Sequence, residues 1–298
     1  MTRPLARTVA RAAAYAGMLS LLNANAGCSN NTSNNTSHNT AKNTARRSAT
    51  NPPVSASSVG AVVPIVHTTV DAAGSALARS GQRIFIMGAS VSAGMGGLTF
   101  LEAFKTAAPR GEVASAASIM LFRDPTAATQ RQAVQALAFK PNLVVALDLL
   151  FWDAYGFAPQ ASRRVAMTAA LAQLDRLHAA GAIVVVGDIP HIVTASPMLL
   201  SPEAVPSINE LAELNAELAA WAGPGKWVAP FASWAAPLAK NAEVTLPDGA
   251  RVVASTLMAA DGLHANPLGT FYVLSLLDRW LEARGVPADD LRFVAPAR

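Results

Sequence analysis

From residue 83 onward the chain alternates short apolar runs with longer stretches in which apolar residues recur every three or four positions. The runs at 83–87, 143–147 and 182–186 are apolar almost throughout, as parallel strands buried on both faces must be. A weaker run at 226–229 and a poorly marked one at 113–118 complete the set of strands. Helical periodicity covers 98–107, 126–138, 159–180 and 208–221. Strands that alternate with helices predict a parallel sheet covered on both sides. Residues 244–253 read as a small hairpin turning at Pro247, Asp248 and Gly249. A last helix starts with Asn266 as N-cap and Pro267 at its first position, and stops near Gly285. No second linker divides this body, so residues 59–298 read as one domain.

The first 58 residues follow a different pattern. Arg3, Arg7 and Arg11 precede an apolar stretch from Ala12 to Leu22. That stretch is too short to span a bilayer but has the length of a signal-peptide core. Small residues then lead to Cys28, the only cysteine of the chain, in an arrangement similar to a bacterial lipobox, with Asn25 where an aliphatic residue is usual. Two outcomes stay open: lipidation at Cys28, or ordinary cleavage after Ala26 in Ala24-Asn25-Ala26. Four tandem tetrapeptides, from Asn30 to Ala45, are rich in Asn, Thr and Ser. They hold almost nothing to bury, so ordering them costs entropy without return. The organisation expected is a signal peptide at 1–27, a disordered tether at 28–58 and a folded domain at 59–298. The protein would be exported, as a periplasmic or cell-surface lipoprotein anchored through Cys28 or as a secreted protein.

Charge sharpens this division. The first 58 residues hold six of the 23 basic residues and no acidic ones, leaving 17 basic against 19 acidic in the body. The basic isoelectric point therefore belongs to the leader and tether, and nucleic acid is not an expected partner. A hydrophobic content of 52% with 14% charged residues suits a well-buried core. A single cysteine excludes an intramolecular disulfide framework and a cysteine-based metal cluster.

Two segments carry candidate chemistry. The first strand runs into Gly88-Ala89-Ser90-Val91-Ser92-Ala93-Gly94. In a doubly wound sheet this loop lies at the carboxyl edge, where ligands bind. A serine there, beside a helix N-terminus, would have N–H groups at hand for an oxyanion. A tight turn built of small residues is the purely structural alternative. The spacing fits neither a dinucleotide fingerprint nor a phosphate-binding P-loop. The second segment, Asp261-Gly262-Leu263-His264, enters the last helix 174 residues later. An Asp three residues before a His on such a turn can bond Nδ1 and leave Nε2 to take a serine proton. Alternatively Asp261 satisfies loop amides and His264 is a surface residue. Of the other histidines, His191 follows a strand and is the one placed for a role at the site edge.

Together the two segments resemble the SGNH/GDSL hydrolases. The first is similar to that family's GDSL block, and Asp261 with His264 to its D-x-x-H block; order, separation and setting match over roughly residues 83–284. The resemblance implies a three-layer α/β/α flavodoxin-like fold with a parallel central sheet. It also implies cleavage of carboxylic esters by a Ser-His-Asp triad of Ser90, His264 and Asp261, with no metal or organic cofactor. The chain departs from the family at three places. Ala89 replaces the aspartate of the first block, and no glycine lies between Val113 and Thr129, where the family takes an oxyanion donor. Ser115 or Ser118 falls there instead. The third block has no asparagine: Trp152 lies near that position, where its indole N–H can donate, and Asp153 matches the block's aspartate. Asp148, at the end of its strand, is placed to line the site. A carboxylate would repel a developing oxyanion, so its expected role is structural or orienting. The function expected is that of an esterase or carbohydrate O-deacetylase acting on a small-molecule or carbohydrate ester. An O-acyltransferase shares this chemistry, and a non-catalytic binding lipoprotein is the alternative of another class.

Overall fold

Five parallel strands form the centre of the molecule in a computed structural model that describes residues 82–156, 159–286 and 291–296. The signal-peptide, tether and Cys28 expectations lie outside these residues. The strands are β1 (Arg83–Ile86), β2 (Glu112–Ser115), β3 (Leu143–Ala146), β4 (Ile183–Gly187) and β5 (Lys226–Ala229), in the spatial order β2-β1-β3-β4-β5. Ile84 pairs with Val113 and Leu143, and Val145 pairs with Val185. Order and parallel pairing are those of the flavodoxin-like doubly wound sheet, as the resemblance implied. The order reverses between β1 and β3, so the loops leaving these two strands diverge to opposite faces and leave a crevice between them.

The crossovers are α1 (Phe100–Ala107), α2 (Pro125–Phe139), α4 (Gln160–Ala179) and α5 (Ile208–Trp221), with α3 (Phe151–Ala154) as a single turn after β3. Beyond β5 come α6 (Phe231–Ala239), the antiparallel pair β6 (Glu243–Thr245) and β7 (Arg251–Val253), and α7 (Pro267–Glu282). Side chains that alternate along each strand sort into two cores. Ile84, Ile86, Val145 and Val185 face Phe100 and Phe104 of α1, Phe231 of α6 and Leu274 and Leu277 of α7. Phe85, Val144, Val184 and Val186 face Ala133 of α2, Leu174 of α4 and Leu214 and Leu218 of α5. Burial on both faces is why these strands are continuous apolar runs rather than alternating ones.

Helix starts follow local chemistry. Thr99 caps α1 in a capping box with Glu102, and Ser207 caps α5 in one with Glu210. Asn266 caps α7, with Pro267 at its first position, where the missing N–H costs nothing. Strands β1, β3, β4 and β5 match the expected runs to within one residue at each end, whereas β2 ends three residues early, at Ser115. Neither α3 nor α6 was expected. α6 is short, apolar at nearly every position and contains Pro237, so its sequence does not read as a helix.

Leu174 is fully buried between α4 and the sheet. Leu174→Ala is expected to cost about 2–5 kcal/mol of unfolding free energy, read as a lower urea midpoint with an unchanged slope.

Candidate active site

The turn after β1 and the loop before α7 meet at the carboxyl edge of the sheet. Ser90 Oγ lies 2.8 Å from His264 Nε2, and His264 Nδ1 lies 2.8 Å from Asp261 Oδ2. An ionised carboxylate only accepts hydrogen bonds, so Nδ1 carries the ring proton and Nε2 accepts from the serine hydroxyl. Ser90 and His264 are both buried. The three side chains singled out from the sequence are therefore within hydrogen-bond reach of one another, in the order the triad expectation required.

Asp261 is fixed twice over. Its Oδ1 accepts from the backbone N–H of Leu263 and His264, at 3.0 and 2.9 Å. Burial pushes its carboxyl up, but the His264 ring N–H and these two amides outweigh that and hold it well below the usual carboxylate range. The loop itself is pinned by Asn266, whose side-chain amide donates to the Thr256 and Met258 carbonyls.

The turn that carries Ser90 is held by Asp148, from the end of β3. Its Oδ1 accepts from Ala89 N–H at 3.1 Å and from the Ser92 hydroxyl at 2.6 Å. Its Oδ2 accepts from Val91 N–H at 2.9 Å and Ser92 N–H at 3.1 Å. Burial pushes this carboxyl up, against the pull of the Ser92 hydroxyl and the three amides. Gln132 of α2 clamps the residue before: its side chain accepts from Gly88 N–H and donates to the Gly88 carbonyl. A Cβ on Gly88 would run into Asp148 and Ser92, so the clamp requires glycine there. Gly96 serves the other contact, since a Cβ on it would overlap the Ala265 carbonyl. The Ser90 turn and the histidine loop thus dock backbone against backbone.

Two expectations about the oxyanion site change. α1 begins only at Phe100, and the N–H groups of Phe100 and Glu102 are taken by the Ser92 carbonyl and the Thr99 hydroxyl. Ser90 sits instead in a knot of turns in which Met95 N–H donates to the Ser90 carbonyl. The N–H of Ser90 itself has no protein acceptor among the described residues, which makes it a candidate oxyanion donor. The Ser118 amide is taken: its N–H donates to the Gly88 carbonyl, while its hydroxyl accepts from Met120 N–H. Ser115 Oγ accepts from Ala117 N–H. Trp152 packs against Phe122 and Phe151.

Asp148 and Ser90 line a cavity beside the triad, whereas Ser118, Trp152, Asp153 and His191 do not. His191 is exposed, although its neighbours Pro190 and Ile192 line the wall. Asp153 is buried beneath, with neither carboxyl oxygen hydrogen-bonded among the described residues. Sequence reasoning missed Tyr155, whose hydroxyl donates to the Pro190 carbonyl at 2.6 Å and accepts from Ile192 N–H at 2.8 Å. That bridge fixes the loop after β4 against the cavity, and a tyrosine after α3 gave no sign of it. Among the described residues, no three His, Cys, Asp or Glu side chains are grouped so as to hold a metal ion.

No protein-family profile matches the chain, and no curated protein does. Similar solved structures include a candidate acylhydrolase from Bacteroides fragilis, with 16% identity, 68% of this chain and 88% of that one covered, and a TM-score of 0.48. A GDSL-like lipase from Bacteroides thetaiotaomicron shares 16% identity, with 67% and 88% covered and a TM-score of 0.46. The esterase EstA from a Pseudoalteromonas species shares 17%, with 67% and 99% covered and a TM-score of 0.42.

In Asp148→Asn one carboxylate oxygen becomes an NH2 facing N–H or O–H donors. The expected outcome is a loss of about 1–3 kcal/mol of stability, read as a lower denaturant midpoint. Asp153 gives a pH signature. Burial raises its carboxyl from 3.8 to about 7, so the unfolded chain ionises there while the folded one still holds the proton. The native state then binds more protons between about pH 4 and 7, and its stability falls as pH rises through that window. Denaturant titrations of Asp153→Asn against wild type should show the variant gaining relative stability from pH 4 to 7 and levelling above it.

Proposed function

We propose that the chain is a serine ester hydrolase in which Ser90 is the nucleophile, His264 the general base and acid, and Asp261 the group that orients the imidazole. The reading rests on one observation, the unbroken chain of 2.8 Å contacts from Ser90 Oγ through His264 to Asp261. As Ser90 Oγ bonds to the ester carbonyl carbon, its proton passes to His264 Nε2. Asp261, held as a carboxylate, stabilises the imidazolium without taking the proton. The carbonyl oxygen becomes an oxyanion, for which the Ser90 N–H is a donor. Collapse breaks the bond to the alcohol oxygen, which leaves with the proton from Nε2. Water then attacks the acyl-serine, gives its proton to His264, and the carboxylic acid departs as Ser90 recovers its hydrogen.

Asp148 has a positioning role in this scheme. Its oxygens are directed at the amides on either side of Ser90, so it sets where Oγ points and does not face the oxyanion. The basic and apolar leader before Cys28 supports action outside the cytoplasm, with a lipid at Cys28 as anchor.

The test is covalent labelling of the purified protein with a fluorophosphonate, beside Ser90→Ala, His264→Ala and Asp261→Asn. Labelling is expected in wild type and lost in Ser90→Ala. Turnover should drop by on the order of 10⁶ in Ser90→Ala and His264→Ala, and by about 10⁴ in Asp261→Asn. Labelling that persists without Ser90, or a folded wild type that takes no label, overturns the assignment.

A further inference from the structure

The segment after β4, residues 189–196, has no regular secondary structure, yet three separate parts of the fold take up its polar groups. Asn215 of α5 holds its root. The Ile189 N–H donates to Asn215 Oδ1 at 2.8 Å, and Asn215 Nδ2 donates back to the Ile189 carbonyl at 3.0 Å. Tyr155, itself buried, bridges the next turn through the Pro190 carbonyl and the Ile192 N–H. The far end then reaches the loop that carries Asp261. Ser196 N–H donates to the Asp261 carbonyl at 2.8 Å, and Thr194 Oγ1 donates to the Gly262 carbonyl at 2.8 Å. Backbones meet here as well: a Cβ on Gly262, whose φ is +66°, would overlap the Thr194 carbonyl. Close approach and left-handed conformation together require glycine at this position. Irregular segments usually leave many such groups to water; this one is fixed along its length.

We propose that residues 189–196 form a strap that positions the Asp261–His264 pair from outside its own loop, with Thr194 and Tyr155 as positioning residues. For its effect on turnover this role rests on the ester-hydrolase reading. Peptide units are rigid planes. Holding the carbonyls of two consecutive residues, Asp261 and Gly262, therefore fixes the dihedral angles between them. With those angles is fixed the direction in which the Asp261 side chain leaves the backbone. The bonds inside the loop, from the Leu263 and His264 N–H groups to Asp261 Oδ1, join the acid to the histidine. They do not say where the joined pair lies relative to Ser90. Asn266 holds the loop where it enters α7, and the strap holds the Asp261–Gly262 end. A misplacement of about 1 Å can cost about a hundredfold in rate, so the 2.8 Å contact between His264 Nε2 and Ser90 Oγ depends on both ends. Thr194 lines the cavity, but Tyr155 does not. An effect of the Tyr155 hydroxyl on turnover must therefore travel through the strap.

The experiment compares wild type with Thr194→Val, Thr194→Ser, Tyr155→Phe and the double variant Tyr155→Phe/Thr194→Val. Two readouts are taken: kcat and KM for p-nitrophenyl acetate, and hydrogen exchange at the Leu263 and His264 amides, with the β3 amides as control. Thr194→Val should lower kcat about three- to tenfold, the worth of one hydrogen bond, and leave KM within about twofold. Thr194→Ser keeps the hydroxyl and should restore kcat to within about twofold of wild type. Tyr155→Phe should lower kcat at least as far as Thr194→Val. Because both act through one strap, the double variant should fall no more than about twofold below the slower single variant. Exchange at Leu263 and His264 should quicken in both single variants while β3 is unchanged. An unmoved kcat in Thr194→Val, a Thr194→Ser as slow as Thr194→Val, or effects that multiply in the double variant overturn the strap. If Tyr155→Phe does not fold, the two Thr194 variants, at an exposed position, decide the matter. If wild type cleaves no ester, the hydrolase reading fails and exchange alone judges the strap. Faster exchange confined to Leu263 and His264 then upholds it, and unchanged exchange removes it.

Discussion

The carboxylate of Asp148 accepts four hydrogen bonds from the turn that carries Ser90. A buried charge is costly unless donors surround it, and here the donors are amides that would otherwise be stranded at the end of a strand. Each side therefore solves the other's problem. The arrangement forces β1 and β3 to stay adjacent and holds the turn in one shape. It also leaves Ser90 Oγ and the Ser90 N–H outside the clamp. Gln132 adds a second grip at Gly88. The placement of Ser90 is therefore a property of three separate elements rather than of the turn alone.

The opposite half of the site uses a different economy. Asp261 and His264 belong to one short loop, so their geometry is largely local, set by two backbone bonds to the same carboxylate that holds the ring. The loop is then tied to its surroundings through Asn266, which caps α7 and bonds the preceding turn. A locally ordered Asp261–His264 pair meets a serine held by long-range contacts. The apolar cavity occupies the space left between them and α6.

Much of this was legible in the sequence because it was local or periodic. Apolar runs marked the strands, caps marked α1, α5 and α7, and the pairing of a Gly-Ala-Ser turn with an Asp-Gly-Leu-His loop pointed to the triad. What stayed hidden depends on contacts between distant residues. Asp148 was expected to orient, but its partners could not be named, since they lie more than fifty residues away. Gln132 read as one more polar position on a helix. α6 escaped because a nine-residue, almost wholly apolar segment containing Pro237 does not read as a helix. Trp152 and Asp153 were aligned by counting residues, yet α3 turns them away from the cavity. α1 starts later than the Ser90 turn suggested because nine residues of turn separate Ser90 from Phe100.

Gly96 lies against the Ala265 carbonyl, so the two halves of the site are joined by a contact that spans most of the chain. A ribosome makes the nucleophile turn long before the histidine loop. Until the last helix has been made and has docked, Ser90 has neither its proton acceptor nor the backbone that abuts its turn. The Ser90–His264 contact is thus withheld from nascent and C-terminally clipped chains by topology alone.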